Sequence, residues 1–187
     1  MEKTTPRRLF LSKSLMATAV VASLSSTSVL RAFTHTKSPF KGYNPFAEEK
    51  TDLRKNGLFS KFVTVKGTIY DSSGRLPLSN VTLEVWHLSP NSDKFRHRAK
   101  LRTNEMGEYT FITDYPNRET GRIPRIYFKV SKGHQSYFTE LSFNDCGAYI
   151  SGEHWEQNNQ LGDQLFPEKD TFLDHSDITF NISLNNQ

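Results

Sequence analysis

At 187 residues the chain has room for one domain, and its 35% hydrophobic content, with 14 Phe, 7 Tyr and 2 Trp, supplies one aromatic-rich core. The formal charge of +4 is concentrated at the start: residues 1–32 hold five Lys or Arg and one acid, leaving nineteen bases and nineteen acids for the rest, so the electrostatic footprint of a nucleic-acid binder is missing. A single cysteine, Cys146, excludes an internal disulfide and any cysteine-built metal site.

In chain order, the first element is an address. Thr5-Pro6-Arg7-Arg8-Leu9-Phe10-Leu11-Ser12-Lys13 resembles a twin-arginine export motif. An apolar run from Leu15 to Leu24 follows, too short for a comfortable bilayer span, and then a small-residue tail. Residues 1–32 therefore read as a cleavable signal, with a periplasmic or extracellular destination and no membrane span after cleavage. Residues 33–60, with Pro39, Gly42 and Pro45 among mixed charges, read as an extended arm or linker.

Residues 61–187 read as all β. Phe62, Thr64, Lys66 and Thr68 alternate with Val63, Val65, Gly67 and Ile69, the period of a half-buried strand. Further strands are expected over Val81–Trp86, Glu108–Ile112, Arg125–Val130, Tyr137–Phe143 and Asp177–Leu184, six in all. Gly, Asn, Asp and Ser turns separate them, and a helical turn or two fits between Gly152 and Leu165. This pattern predicts an antiparallel β-sandwich.

Three segments carry a resemblance. Gly67-Thr68-Ile69-Tyr70-Asp71 runs through Gly74 and Pro77 to Val81-Thr82-Leu83-Glu84-Val85-Trp86-His87; a turn follows at Thr103-Asn104-Glu105-Met106-Gly107-Glu108-Tyr109-Thr110-Phe111. Then Arg122-Ile123-Pro124-Arg125-Ile126-Tyr127-Phe128 is followed by Thr139-Glu140-Leu141-Ser142-Phe143. Together they resemble the intradiol ring-cleavage dioxygenases, whose sandwich is shared in part by transthyretin-like domains. The third segment distinguishes the two.

The resemblance implies a ferric ion held by two tyrosinates and two histidines, a donor set suited to a hard Fe(III). At most one of these four positions keeps its family ligand here. The first tyrosine falls on Phe95, within Asp93-Lys94-Phe95-Arg96-His97, and the two histidines fall on Arg125 and Tyr127. Phe has no donor, and Arg is a permanent cation. The second tyrosine falls on Glu119 in one alignment of the short loop and on Tyr115 in another, so Tyr115 and Tyr127 are the candidate metal ligands. Arg122 matches the family arginine beside the substrate, and Glu140 replaces the family glutamine; a lone Arg122 has a structural explanation in pairing with Glu119 or Glu140. The remaining histidines form no His-x-His or His-x3-His pair, and His97 is the one expected near Tyr127.

The reading is an exported intradiol-dioxygenase-like protein without the family's ferric catechol-cleaving activity and without a cofactor. It would act as a binding module for a small aromatic or sugar-like ligand or for another protein, and would be open to homo-oligomerisation. The alternatives are an active dioxygenase using Fe(III) with a non-standard ligand set, and a transthyretin-like interaction domain.

Overall fold

A computed structural model describes residues 38–55 and 60–184; the expected signal at 1–32 and the start of the arm lie outside the described residues. Two five-stranded sheets face one another. The first has the order β3-β2-β5-β6-β7. Its strands are β2 (Thr82–His87), β3 (His97–Arg102), β5 (Arg125–Lys132), β6 (Gln135–Asn144) and β7 (Gly147–Ile150). In the second, β1 (Phe62–Tyr70) pairs antiparallel with β4 (Glu108–Asp114) on one edge. Its other edge runs parallel to β9 (His175–Thr179) and then β10 (Ile182–Ser183), and β8 (Glu168–Phe172) closes the sheet beside β9.

The inward residues set by the period of two form the core. Val63, Val65 and Phe180 meet Leu83, Phe128 and Leu141, all fully buried. The Phe128 ring lies 5.2 Å from Phe180 and 6.1 Å from Phe111. At the break between β9 and β10 the chain comes so close to β1 that a Cβ on Gly67 would lie 1.9 Å from the Phe180 carbonyl oxygen. Only glycine fits there.

The strands outnumber the six expected. The terminal strand expected over Asp177–Leu184 divides into β9 and β10, and β3, β7 and β8 were not anticipated. β8 has no buried face at all, so its sequence carries no alternation to read. One helix, α1 (Gly152–Asn158), starts where the Ser151 hydroxyl accepts the His154 amide at 3.1 Å, and a 3-10 segment follows at Asn159–Leu165. No helix among the described residues is long and apolar enough to cross a membrane.

Residues 38–55 lie against the sandwich. Along β3, the edge of the first sheet, the Lys100 amide donates to Glu48 O at 2.8 Å and the Lys50 amide to Lys100 O at 3.1 Å. Along β4, the edge of the second, the Ile112 amide donates to Thr51 O and the Leu53 amide to Ile112 O, both at 2.8 Å. The arm thus covers backbone groups on two strand edges that would otherwise be open templates for pairing. Leu53 enters the core at 1% exposure. Leu53→Ala is expected to cost about 2–5 kcal/mol in urea denaturation. A cost below about 1 kcal/mol, the level of ordinary hydrogen bonds, would mean that the arm docks through its backbone alone.

Candidate functional site

The resemblance placed its chemistry on the first sheet, and the register puts Trp86, Tyr127 and Glu140 side by side on three adjacent strands. Alternation turns them, with Arg125 and Lys129, to the face opposite the core. Five of the predicted positions, Phe95, Glu119, Arg125, Tyr127 and Glu140, meet there. The Tyr127 ring lies 6.3 Å from Phe95 and is stacked on Trp86 at 5.7 Å. Its hydroxyl donates to Glu119 Oε1. Arg125 Nη1 donates to both oxygens of Glu140, at 2.8 and 2.9 Å, with both side chains largely buried. Burial first, and then the hydrogen bond to Glu119, push the Tyr127 phenol well above its ordinary pKa, so it holds its proton.

Two predicted residues stand elsewhere. Tyr115 packs edge-on against the inward ring of Phe143 at 5.3 Å, and burial raises its pKa, with the Asp145 charge adding to it. Arg122 is exposed, and its side chain has no ion pair or hydrogen bond among the described residues. The expected pairing of Arg122 with Glu119 or Glu140 is therefore replaced: Tyr127 takes Glu119 and Arg125 takes Glu140. His97 is corrected too. It lies one residue out of phase with Arg98, the partner of Trp86, and so points into the core.

The arm supplies the residues the sequence did not reveal. Phe40 stacks on Tyr127 at 4.7 Å and 25°. A Cβ on Gly42 would lie 2.1 Å from Phe95 Cγ, so the ring of Phe95 rests on bare backbone held at a φ of +77°. The Trp86 indole N–H donates to Lys41 O at 2.8 Å. The Tyr43 hydroxyl donates to Glu84 Oε2 at 3.0 Å and accepts from Lys129 Nζ at 2.9 Å. Lys129 is also 3.4 Å from Glu84, which is only 6% exposed. Burial lowers the Lys129 pKa, but the Tyr43 bond and the Glu84 charge outweigh it, and the net shift is upward. These are interlocking contacts from one continuous segment laid over the site. The readable signal was an aromatic pair around a glycine, Phe40-Lys41-Gly42-Tyr43.

A second polar cluster lies between the sheets. His87 and His97 stack at 4.8 Å. His87 Nε2 is 2.6 Å from Thr113 Oγ1; His97 Nε2 is 2.8 Å from Asp114 Oδ2, and His97 Nδ1 is 2.9 Å from Ser89 Oγ. Asp114 Oδ2 also accepts the Lys55 amide at 2.8 Å. Ser89, His97 and Asp114 follow the order of a nucleophile relay, but the Ser89 hydroxyl is buried and already accepts the Arg96 amide at 3.2 Å. The cluster satisfies buried polar groups. Burial holds His87 down at about 3 and outweighs Asp114 at His97, so both rings favour the neutral form.

Among the described residues no group of three or more His, Cys, Asp or Glu side chains is placed to hold a metal ion. An open groove of about 510 Å³ runs over the second sheet past Lys66, Thr68, Thr110 and Asn181, and another of about 650 Å³ follows residues Asn117–Ile123.

A ten-stranded sandwich with this strand order and this row of residues on its outer face defines an intradiol-dioxygenase-like fold, and solved structures agree. The dioxygenase domain of a dioxygenase carbohydrate-binding protein fusion from Streptomyces sp. SirexAA-E superposes with a TM-score of 0.60 at 20% identity, covering 81% of this chain and 97% of that one. An intradiol ring-cleavage dioxygenase from Tetranychus urticae gives 0.58 at 14%, covering 76% and 89%. The 3-chlorocatechol 1,2-dioxygenase from Rhodococcus opacus 1CP gives 0.56 at 18%, covering 78% and 69%. No protein-family model matches the chain, and neither does any curated protein. At these identities the likeness establishes the fold.

Proposed function

We propose that the chain is an exported, non-catalytic binding module built on the intradiol dioxygenase sandwich. The residues at the family's ligand positions do not fit a ferric ion. Phe95 offers no lone pair, and Arg125 is a cation already engaged by Glu140 at 2.8 Å. Tyr127 keeps its proton through burial and Glu119. The Glu140 carboxylate, which alone would repel an anionic catecholate, is neutralised by its partner. One observation carries the reading: the Phe40 ring stacked on Tyr127 at 4.7 Å fills the place where a planar ligand would meet that residue. A small aromatic ligand in this cleft is thereby disfavoured, and a partner bound on the rim is favoured.

The test is the iron content and visible spectrum of the purified protein. The expected result is a colourless preparation without stoichiometric iron, which leaves catechol unconsumed after iron is added. Stoichiometric iron with a tyrosinate charge-transfer band overturns the reading. Export is tested in the same cells: Arg7→Lys with Arg8→Lys should leave the protein inside, and unchanged secretion would remove the twin-arginine route.

A further inference from the structure

We infer that the loops before β3 and before β5 form a single cationic surface that binds a carboxylate-bearing polysaccharide. The two loops are tied together at Asn117, whose amide donates to Leu88 O at 3.2 Å and whose side-chain Nδ2 donates to Ser92 O at 2.9 Å. Lys94 and Arg96 lie on one loop, and Arg118 and Arg122 on the other; all four are exposed. None makes a side-chain hydrogen bond or ion pair among the described residues. That sets them apart from Arg54, Arg125 and Arg102, which have acid partners at 2.7, 2.8 and 3.8 Å. The loops' acids do not balance them. Glu119 accepts the Tyr127 hydroxyl and is turned toward that ring, so the two loops set two acids, Asp93 and Glu119, against four cations.

The geometry is held in place. The Arg122 amide donates to Glu119 O at 3.0 Å, closing a turn with Arg118 just before it and Arg122 at its end. The groove of about 650 Å³ runs along this turn. Three of the four cations are guanidinium groups, whose planar fork pairs with a carboxylate through two parallel hydrogen bonds. Because the chain after residue 32 carries equal numbers of bases and acids, the patch is local, without the extended positive field that a polyphosphate such as DNA selects. A polymer with spaced carboxylates matches four local cations better. Multiple weak contacts along a polymer also suit the open groove along this turn.

The inference rests on the binding-module reading, and its test is separable from it. The full chain is passed over immobilised polygalacturonate, a neutral glucan, a sulfated glycan and duplex DNA, with iron measured in the same preparation. The expected result is retention on polygalacturonate alone or most strongly, release by salt, and an affinity loss of about tenfold or more in Arg118→Gln/Arg122→Gln, in line with the loss of charge-assisted contacts. An unchanged Tm in that variant confirms that its fold is intact. No retention on polygalacturonate, equal retention by the double variant, or tighter binding to the neutral glucan, the sulfated glycan or DNA overturns the inference. An iron-free protein that ignores polygalacturonate removes this surface and leaves the non-catalytic reading standing. An iron-loaded protein that retains it does the reverse.

Discussion

Replacing Asp114 with Ala is expected to cost the fold about 3–5 kcal/mol, the range for removing one member of a buried charged or hydrogen-bonded pair. The residue is fully buried, and its carboxylate serves three groups from distant parts of the chain: His97 Nε2 at 2.8 Å, the Lys55 amide at 2.8 Å and the Ser60 hydroxyl at 3.4 Å. Its loss leaves an imidazole and a backbone amide facing a cavity without acceptors. At about 2–4 °C per kcal/mol for a chain of this size, Tm should fall by roughly 10 °C. Asp114→Asn, which keeps the volume and one acceptor, should cost less. Chemical denaturation of the two variants checks the order; an Ala variant within about 1 kcal/mol of the parent, the level of an ordinary hydrogen bond, would mean that water takes over these bonds.

The second large effect is loss of stability in mild acid. His87 is held at about 3 and His154 at about 4 by burial, against 6.5 in the unfolded chain. His154, on the buried side of α1, sits fully buried between Thr139, at 2.7 Å, and the Phe180 ring at 4.9 Å. Both folded pKa values are depressed, so the unfolded chain binds more protons as pH falls below 6.5. The stabilisation is complete above that pH and declines below it, by up to about 1.4 kcal/mol per pH unit for each histidine. Between about pH 6.5 and 4.5 the two together amount to roughly 5 kcal/mol at most. Urea midpoints at steps of pH should fall along that slope. His154→Gln should reduce the slope by about half, whatever its own stability. A flat profile down to about pH 5, above the usual carboxylate range, would show that the buried imidazoles protonate without unfolding the chain.

These buried groups also show where sequence reading reached its limit. The alternation that marks β1, with Val63 and Val65 facing in and Thr64 facing out, is carried by apolar side chains, which need no partner to be buried. β3 alternates just as regularly, with His97, Ala99 and Leu101 inward and Arg98, Lys100 and Arg102 outward. Yet its inward histidine reads as polar, because its burial depends on Asp114 and Ser89, seventeen residues later and eight earlier. The arm had no period to read at all. Its register comes from the open edges of β3 and β4, and its apolar anchors, Phe40 and Leu53, are single residues among turns and charges.

The sequence by itself determined the sandwich, through side-chain alternation, and two decisive facts about the site: Phe95 has no donor, and Arg125 is always charged. Both are properties of the side chain wherever it sits. Only the tertiary structure decided that Arg125 is matched by Glu140, that Tyr127 gives its hydrogen bond to Glu119, that Tyr115 packs against the core, and that Phe40 covers what the strands assemble. Pairing, proton affinity and access depend on desolvation and on neighbours brought from remote segments, and those exist only once the sheets and the arm have come together.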